Sequence, residues 1–413
     1  MAASSPGLTP PAAPRLFGFD RRVWIVFIII VVNLIGFGII IPLLPFYAES
    51  LGASELLVGL IFASYSVCQL IASPVLGLLS DRWGRRPILL FSIAGTVVSF
   101  VLLALAHSVW LLFAARIVDG LSGGNISTAR AYVADVTPGR ERARAYGLIG
   151  AGFGLGFILG PALGGSLARF GYGAPAWVAA GMALVAVVLT WFWLPEPPHG
   201  KQAPRHAPWT EFRLVASKPG VAPLLGLDLG YWSAFALYQT TFALFVSRRF
   251  GFDAAATGHT LAVMGLVNIT IQLGVVGRAA KKFGERRTLL AGFTCGAVGL
   301  SGMSLAHQVP LFLPFLVLAA CGSALSSPSL SSLLSQTVPS NEQGRLQGVS
   351  GSMESLGRTI GPLWGSSVLA AVGEGAAYAS AATLLLLLAV ATTRVRAKRA
   401  EATPLPERRA RAA

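Results

Sequence analysis

Three acidic side chains, Asp119, Asp228 and Glu354, sit inside long apolar runs of the sequence. An ionised carboxylate there is costly unless it is paired or faces a water-filled path, so function is the default reading. Arg116 precedes Asp119 by three residues and Arg358 follows Glu354 by four. Each spacing puts the two charges on one helix face. The chemistry open to such pairs is reversible protonation: burial and a neighbouring cation pull a carboxyl's proton affinity in opposite directions, so a change of exposure loads or unloads the proton. Asp119 lies about ten residues into its run, near the midplane at ~1.5 Å per residue, and ranks first as proton carrier. Asp228 ranks second, having no charged neighbour within its own run. Glu354 ranks third, because Arg358 can hold it ionised; a satisfied structural pair explains those two equally well.

Asn33, Gln239, Asn268 and Gln272 also fall within apolar runs. They could line a cavity or hydrogen-bond neighbouring helices. His107 and His307 stand at run ends and read as interfacial. Cys68, Cys295 and Cys321 show neither paired nor metal-ligand spacing, so neither a disulfide nor a metal site is expected. No nucleophile elbow or phosphate-binding loop appears, so an enzyme is not expected and no cofactor is implied.

These residues need elements to hold them. The 413 residues are 54% hydrophobic and 12% charged, with a mean hydropathy of +0.67. An average soluble domain carries about 25% charged residues, so too little polar surface remains here to cover a water-soluble particle. Twelve stretches approach the ~20 apolar residues that cross a bilayer: 24–47, 56–79, 88–106, 109–135, 145–168, 176–194, 221–246, 257–280, 288–306, 310–335, 346–371 and 376–393. The expected fold is an all-α integral membrane protein of twelve transmembrane helices in two pseudo-symmetric six-helix halves. Its parts are a disordered cytoplasmic tail (1–22), an N-terminal half (23–195), a cytoplasmic linker (196–219), a C-terminal half (220–394) and a disordered basic tail (395–413). The linker contains PEPPHGKQAPRHAP, then Trp209, Phe212 and Val215 at a spacing that could lie along the membrane interface.

The net charge of +15 first suggests a nucleic-acid partner, but its placement argues otherwise. Of 32 Lys and Arg, Arg116, Arg130 and Arg358 fall within spans and Arg169, Arg248 and Arg249 in odd-numbered loops. The rest lie in the tails and in or at the edges of the even-numbered loops. This positive-inside asymmetry puts both termini in the cytoplasm and leaves no basic groove for nucleic acid.

The halves repeat at an offset of about 200 residues. DRWGRRP (81–87) answers to KKFGERR (281–287), and Ala106-His107 to Ala306-His307. The fifth stretch carries Gly147, Gly156, Gly160, Pro161, Gly164 and Gly165. The eleventh carries Gly348, Gly357, Gly361, Pro362 and Gly365, with Ser366 in the last place. Glycines on one face let helices pack backbone to backbone, and proline bends a membrane helix.

The segment GLLSDRWGRRP resembles the loop-two signature of the major facilitator superfamily, matched at Gly77, Asp81, Arg82, Gly84, Arg85 and Arg86. The resemblance implies a gating loop that braces the outward-open state from the cytoplasmic side, with the acidic residue touching span eleven. Asp135 could complete its charge cluster. The six-position motif of span five is similar to the antiporter motif of the drug/proton exporters. Span four, with Arg116, Asp119 and following glycines, resembles their proton-transfer helix. From span two to span five the chain most resembles the tetracycline-efflux group, but Asn33 stands where that group has an Asp, and span nine lacks its acid. Both acids are linked there to a cationic metal–drug complex.

The resemblance implies a proton-coupled antiporter that exports small amphiphilic or hydrophobic compounds by alternating access. A metabolite facilitator or proton symporter of the same fold is the alternative, and a non-transporting membrane protein a remoter one. Its partners would be a small-molecule substrate, the lipid bilayer and protons as coupling ion. It would be a multi-pass monomer of the cell membrane.

Overall fold

A computed structural model describes residues 15–16, 19–137, 141–197, 208–339 and 342–395. Apart from a two-residue antiparallel pairing of Arg15–Leu16 with Phe19–Asp20, its regular structure is helical. In the first half come α1 (Arg21–Ile40), α2 (Leu44–Ser50), α3 (Glu55–Trp83), α4 (Arg85–Ala104), α5 (Val109–Leu121), α6 (Asn125–Val136), α7 (Arg142–Leu167) and α8 (Gly173–Trp193). A short α9 (Pro208–Ala216) leads to α10 (Val221–Phe250), α11 (Ala254–Ile271), a π-turn at Gln272–Val276, α12 (Gly277–Phe283), α13 (Glu285–Leu305), α14 (Val309–Ser335), α15 (Gln343–Val372) and α16 (Glu374–Arg394).

Among the described residues nine helical segments are long and apolar enough to cross a membrane. Three expected spans fall outside that set for identifiable reasons. The fourth is broken by a turn at 122–124 into α5 and α6. Helices α10 and α15, at 30 residues each, reach about 45 Å at 1.5 Å per residue, but each dilutes its apolar run with polar residues. The expected first span also stops early: α1 ends at Ile40, two residues before Pro42, and the chain restarts as α2. Helix α9 packs on the second half: Val215 is buried in its core and Phe212 rests against it, rather than along the membrane interface. The side chain of Trp209 and residues 396–413 lie outside the described residues.

Local signals set several boundaries. The Ser54 side chain caps α3 by accepting from Leu57 N, and Asp253 caps α11 by accepting from Ala256 N at 2.7 Å. The α3–α4 and α12–α13 turns pivot on Gly84 (φ 106°) and Gly284 (φ 84°), the same place in the two repeats. A Cβ is disfavoured at such φ, so both turns need glycine.

In the second half Phe242, Phe245, Phe293, Phe312 and Tyr378 form a buried core, with Phe245 and Tyr378 centroids 4.4 Å apart. The first half packs Val26, Ile30, Leu89, Ile93 and Tyr132. A further core joins the halves at one end only: Ile39, Leu43, Phe46 and Val58 meet Ala243, Leu244, Ala254 and Leu369. Exposed aromatics cluster toward both ends, Trp83, Trp191, Phe192 and Trp193 at one and Trp110, Phe170 and Trp177 at the other. That is the distribution of interfacial aromatic belts.

Candidate functional site

The polar residues of the spans and those of the turn after α3 lie in separate places. Arg116 and Asp119, one turn apart on α5, form an ion pair of 3.2 Å with side chains 4% and 7% exposed. Arg116 also donates from Nη2 to Ser99 Oγ of α4 at 3.2 Å and lies 5.7 Å from the Tyr65 ring of α3. Tyr65 in turn accepts from Gln69 Nε2 at 2.9 Å and packs near Phe37 of α1, centroids 5.9 Å apart. Asn33, one turn before Phe37, is buried, and its Nδ2 has no hydrogen-bond partner among the described residues.

The break between α5 and α6 is built into this site. Gln69 and Ser73 of α3 donate to the carbonyl of Gly123 at 3.4 and 3.3 Å. A carbonyl left over at a helix end inside a bilayer must find such a donor.

Opposite, on the second half, Asp228 of α10 is buried and accepts from Ser350 Oγ of α15 at 2.6 Å. Glu354 and Arg358 pair along α15 at 2.5 Å, and the Arg358 guanidinium lies 4.6 Å from the Trp232 ring centroid. Asn268 donates to Ser323 Oγ at 2.8 Å and accepts from Gln272 at 2.7 Å, just where the π-turn begins. π-Turns of this kind are frequent at functional sites. Gln239 is half-buried on α10.

The halves meet along two antiparallel helix pairs, α7 with α11 and α3 with α15. On the first pair, a Cβ added to Gly165 would sit 2.9 Å from Ala254 O, one on Gly265 2.8 Å from Phe157 O, and one on Gly154 2.5 Å from Ile269. One or two turns further on, at Gly147, Gly150, Gly274 and Gly277, no described residue lies within 4 Å of an added Cβ. The second pair behaves alike: a Cβ on Gly59 would sit 2.5 Å from Ser366 Oγ, whereas Gly344, Gly348 and Gly351 meet nothing among the described residues. The halves therefore touch at the end away from the arginine-rich turns and part toward the basic end. At the closed end Arg248 of α10 bridges Glu49 and Glu55 of the first half at 2.7 and 2.8 Å, and Ser166 lies 3.1 Å from His259.

This packing divides the span-five motif. Gly156, Gly160 and Gly164 press on the α1 backbone at Leu34, Gly38 and Ile39, and Gly165 presses on α11. Gly147, the first position of the motif, has no described residue within 4 Å of an added Cβ. The second half repeats the division, with Gly357, Gly361 and Gly365 against α10 and Gly348 open.

At the basic end, buried Arg85 gathers the turn between α3 and α4. It reaches Asp81 at 2.5 Å, Asp135 at 2.9 Å and Ser80 Oγ at 2.6 Å, and Ser80 donates to the carbonyl of Gly77. The backbone N–H groups of Arg85 and Arg86 donate to Glu196 at 2.6 and 3.0 Å, so a carboxylate caps the positive end of α4. Arg86 donates to the Thr190 and Trp191 carbonyls of α8, and Arg82 is exposed in the last turn of α3.

The sequence profile described as Major Facilitator Superfamily matches residues 26–275 and 242–413. The chain belongs to that superfamily. This facilitator is 33% identical to the class C tetracycline resistance protein of Escherichia coli over 83% of its own length and 88% of the relative's. It is 31% identical to multidrug resistance protein 2 of Bacillus subtilis, over 82% and 88%. The crystal structure of the human organic anion transporter MFSD10 (TETRAN) superposes with a TM-score of 0.72 at 27% identity, covering 90% of this chain and 99% of the other.

Several residues of the facilitator's site escaped the sequence reading. Tyr65, Gln69 and Ser73 form an i, i+4, i+8 polar stripe on α3, a signal that was available. Trp232 lies one turn after Asp228. Glu196 and the Arg248 bridges carry no local signal, because their partners are more than 100 residues away.

Proposed function

We propose that this facilitator exports small amphiphilic or hydrophobic compounds in exchange for protons, working by alternating access between its two halves. The buried Arg116–Asp119 pair carries the reading: an ionisable pair sits at the junction of the halves, beside an aromatic and amide-lined wall, above a cleft open at one end. Exchange needs a proton-binding group whose exposure changes with the cleft. Asp119 fills that role and Asp228 is its second candidate. The relatives' names, tetracycline and multidrug resistance, support drug-like cargo.

In this reading twelve spans cross the cell membrane, counting α5 with α6, α10 and α15. The basic end and both termini face the cytoplasm, the cleft opens inward, and the protein works as a monomer without a cofactor. The two units are residues 23–195 and 220–394. The Asp81–Arg85–Asp135 cluster is the gating brace, held within its own half while the inner side is open. Asn33, Gln239, Asn268 and Gln272 line the path of the cargo. The span-five glycines let α7 bear on α1 and α11 as the halves rock.

Purified protein in proteoliposomes, given a pH gradient and a panel of dyes, drugs and metabolites, tests the reading. Gradient-driven accumulation of at least one amphiphile, abolished by a protonophore, is the expected result. Movement that ignores the gradient would make it a passive carrier of the same superfamily instead.

A further inference from the structure

The two halves repeat their arginine-rich turns but complete them differently. In the first half Arg86 donates to the Thr190 and Trp191 carbonyls near the end of α8. Glu196, just beyond α8, turns back onto the N–H groups of Arg85 and Arg86 at 2.6 and 3.0 Å. In the second half Arg286 takes the place of Arg86 and donates to the Thr392 and Thr393 carbonyls near the end of α16. No side chain among the described residues caps the start of α13. Glu285, in its first turn, faces α14 instead, where it accepts from Ser332 and Gln336 at 3.3 and 2.9 Å. The sequence after α16 reads VRAKRA (395–400), basic where the first half supplies its acid.

At this place a cavity of about 170 Å³ opens between α13 and α16, lined by Arg286, Arg287, Leu290, Thr392 and Thr393. It has room for several waters or one phosphate group. Arg287 and Arg394 are both exposed, and each heads an outward stripe. Arg287 leads down α13 to Ala291, Thr294 and Val298, and Arg394 leads down α16 to Val390 and Leu387, all of them exposed. Spacings of three and four put each set on one helix face. Exposed apolar surface of this kind marks contact with acyl chains in a membrane protein. Neither α13 nor α16 belongs to the two helix pairs along which the halves meet.

We propose that this cavity seats the headgroup of a net-anionic phospholipid, whatever cargo the carrier moves. The lipid phosphate takes the place that Glu196 fills in the first half, against the positive start of α13. Arg287 is its first cation, and Arg394, next to Thr393, its second. A guanidinium fork matches two phosphate oxygens, and a helix start favours an anion. The acyl chains then lie along the face of Val390 and Leu387. A zwitterionic lipid brings the same phosphate, but its own ammonium offsets the attraction. A free phosphate ion brings the charge without chains to occupy the apolar face. The repeat therefore carries two anion seats at its basic end, one filled by the chain's own carboxylate and one open to the bilayer.

Native mass spectrometry of the full-length, delipidated protein tests the seat. The protein is titrated with dioleoylphosphatidylglycerol or with dioleoylphosphatidylcholine, and the affinity of the first lipid bound is read for each. The anionic lipid is expected to bind at least fivefold tighter, the usual strength of one basic side chain at an anionic surface being about fivefold. Arg287→Gln should lower that preference about fivefold, and Arg394→Gln, on the other helix, should do likewise. Arg287→Lys, which keeps the charge, should retain most of it. Arg213→Gln removes an exposed charge of α9, elsewhere at the basic end, and should leave the preference unchanged. Inorganic phosphate in tenfold excess should not displace the bound phosphatidylglycerol. Equal binding of the two lipids by the unaltered protein would overturn the proposal, as would an unchanged preference in both Arg287→Gln and Arg394→Gln. A loss in Arg213→Gln equal to that in Arg287→Gln would reduce the seat to diffuse attraction, and displacement by phosphate would make it a site for the free ion; either result sinks the lipid assignment.

Discussion

Asp119 and Arg116 illustrate how much a single helical turn can hold. Paired at 3.2 Å and almost wholly buried, they neutralise one another where neither could stand alone. If Asp119 carries the coupling proton, Asp119→Asn should abolish uphill accumulation driven by a pH gradient while leaving downhill solute exchange. Both are measured in the same vesicles, and a variant that still concentrates solute shifts the role to Asp228. Arg116→Ala should instead harm the fold, because removing one partner of a buried pair leaves an uncompensated charge and costs about 3–5 kcal/mol. A lowered midpoint of thermal unfolding in detergent would report it. The spacing of this pair was legible in the sequence. Its setting was not, because Ser99 and Tyr65 reach it from other helices.

Elements differ in how far local sequence determines them. The Gly84 and Gly284 turns, the capped start of α11 and the glycine faces of α7 and α15 follow from patterns within a few residues. Which glycines bear on a neighbour does not, since that depends on where two helices diverge: Gly160 and Gly147 look alike in sequence, yet one touches α1 and the other touches nothing among the described residues. Gly160→Ala would set a methyl 2.6 Å from the Gly38 Cα and should destabilise by ~1–3 kcal/mol. Gly147→Ala should leave the unfolding midpoint unchanged, and a matched loss at both sites would refute this division of the motif. The proposed gating role of the α3–α4 turn makes a separate test. Asp81→Asn removes one of the carboxylates gathered by Arg85, and Gly84→Val strains a turn at φ 106° beside Glu196. Each is expected to cut transport severely while binding of solute persists. Full transport by Asp81→Asn would take the loop out of the mechanism.

At the scale of the whole molecule, the question is what keeps the far end shut. The repeat made two halves legible in the sequence, but the conformation they share is a property of contacts between them, and those contacts are long-range. Close-packed glycines, the joint apolar core and the Arg248 bridges to Glu49 and Glu55 all lie at that end. Arg249, its neighbour, holds the Ser304 carbonyl within the second half, so adjacent arginines divide the work of anchoring α10 and reaching across. The bridging carboxylates and Arg248 are about one-third exposed. Each pair is therefore worth about 0.2–1 kcal/mol, and the two together about a two- to thirtyfold bias toward the closed far end. The glycine contacts are complementary in shape but carry no such directional charge, so the bridges are the adjustable part of the closure. Spin labels at Ser50 and His307, exposed on opposite halves at that end, would read the distance between them by double electron–electron resonance. Arg248→Ala is expected to raise the population at longer distance by a factor within that range. High salt should do the same to the unaltered protein, because exposed pairs are screened. An Arg248→Ala distribution that matches the native one would mean that packing alone holds the far end closed.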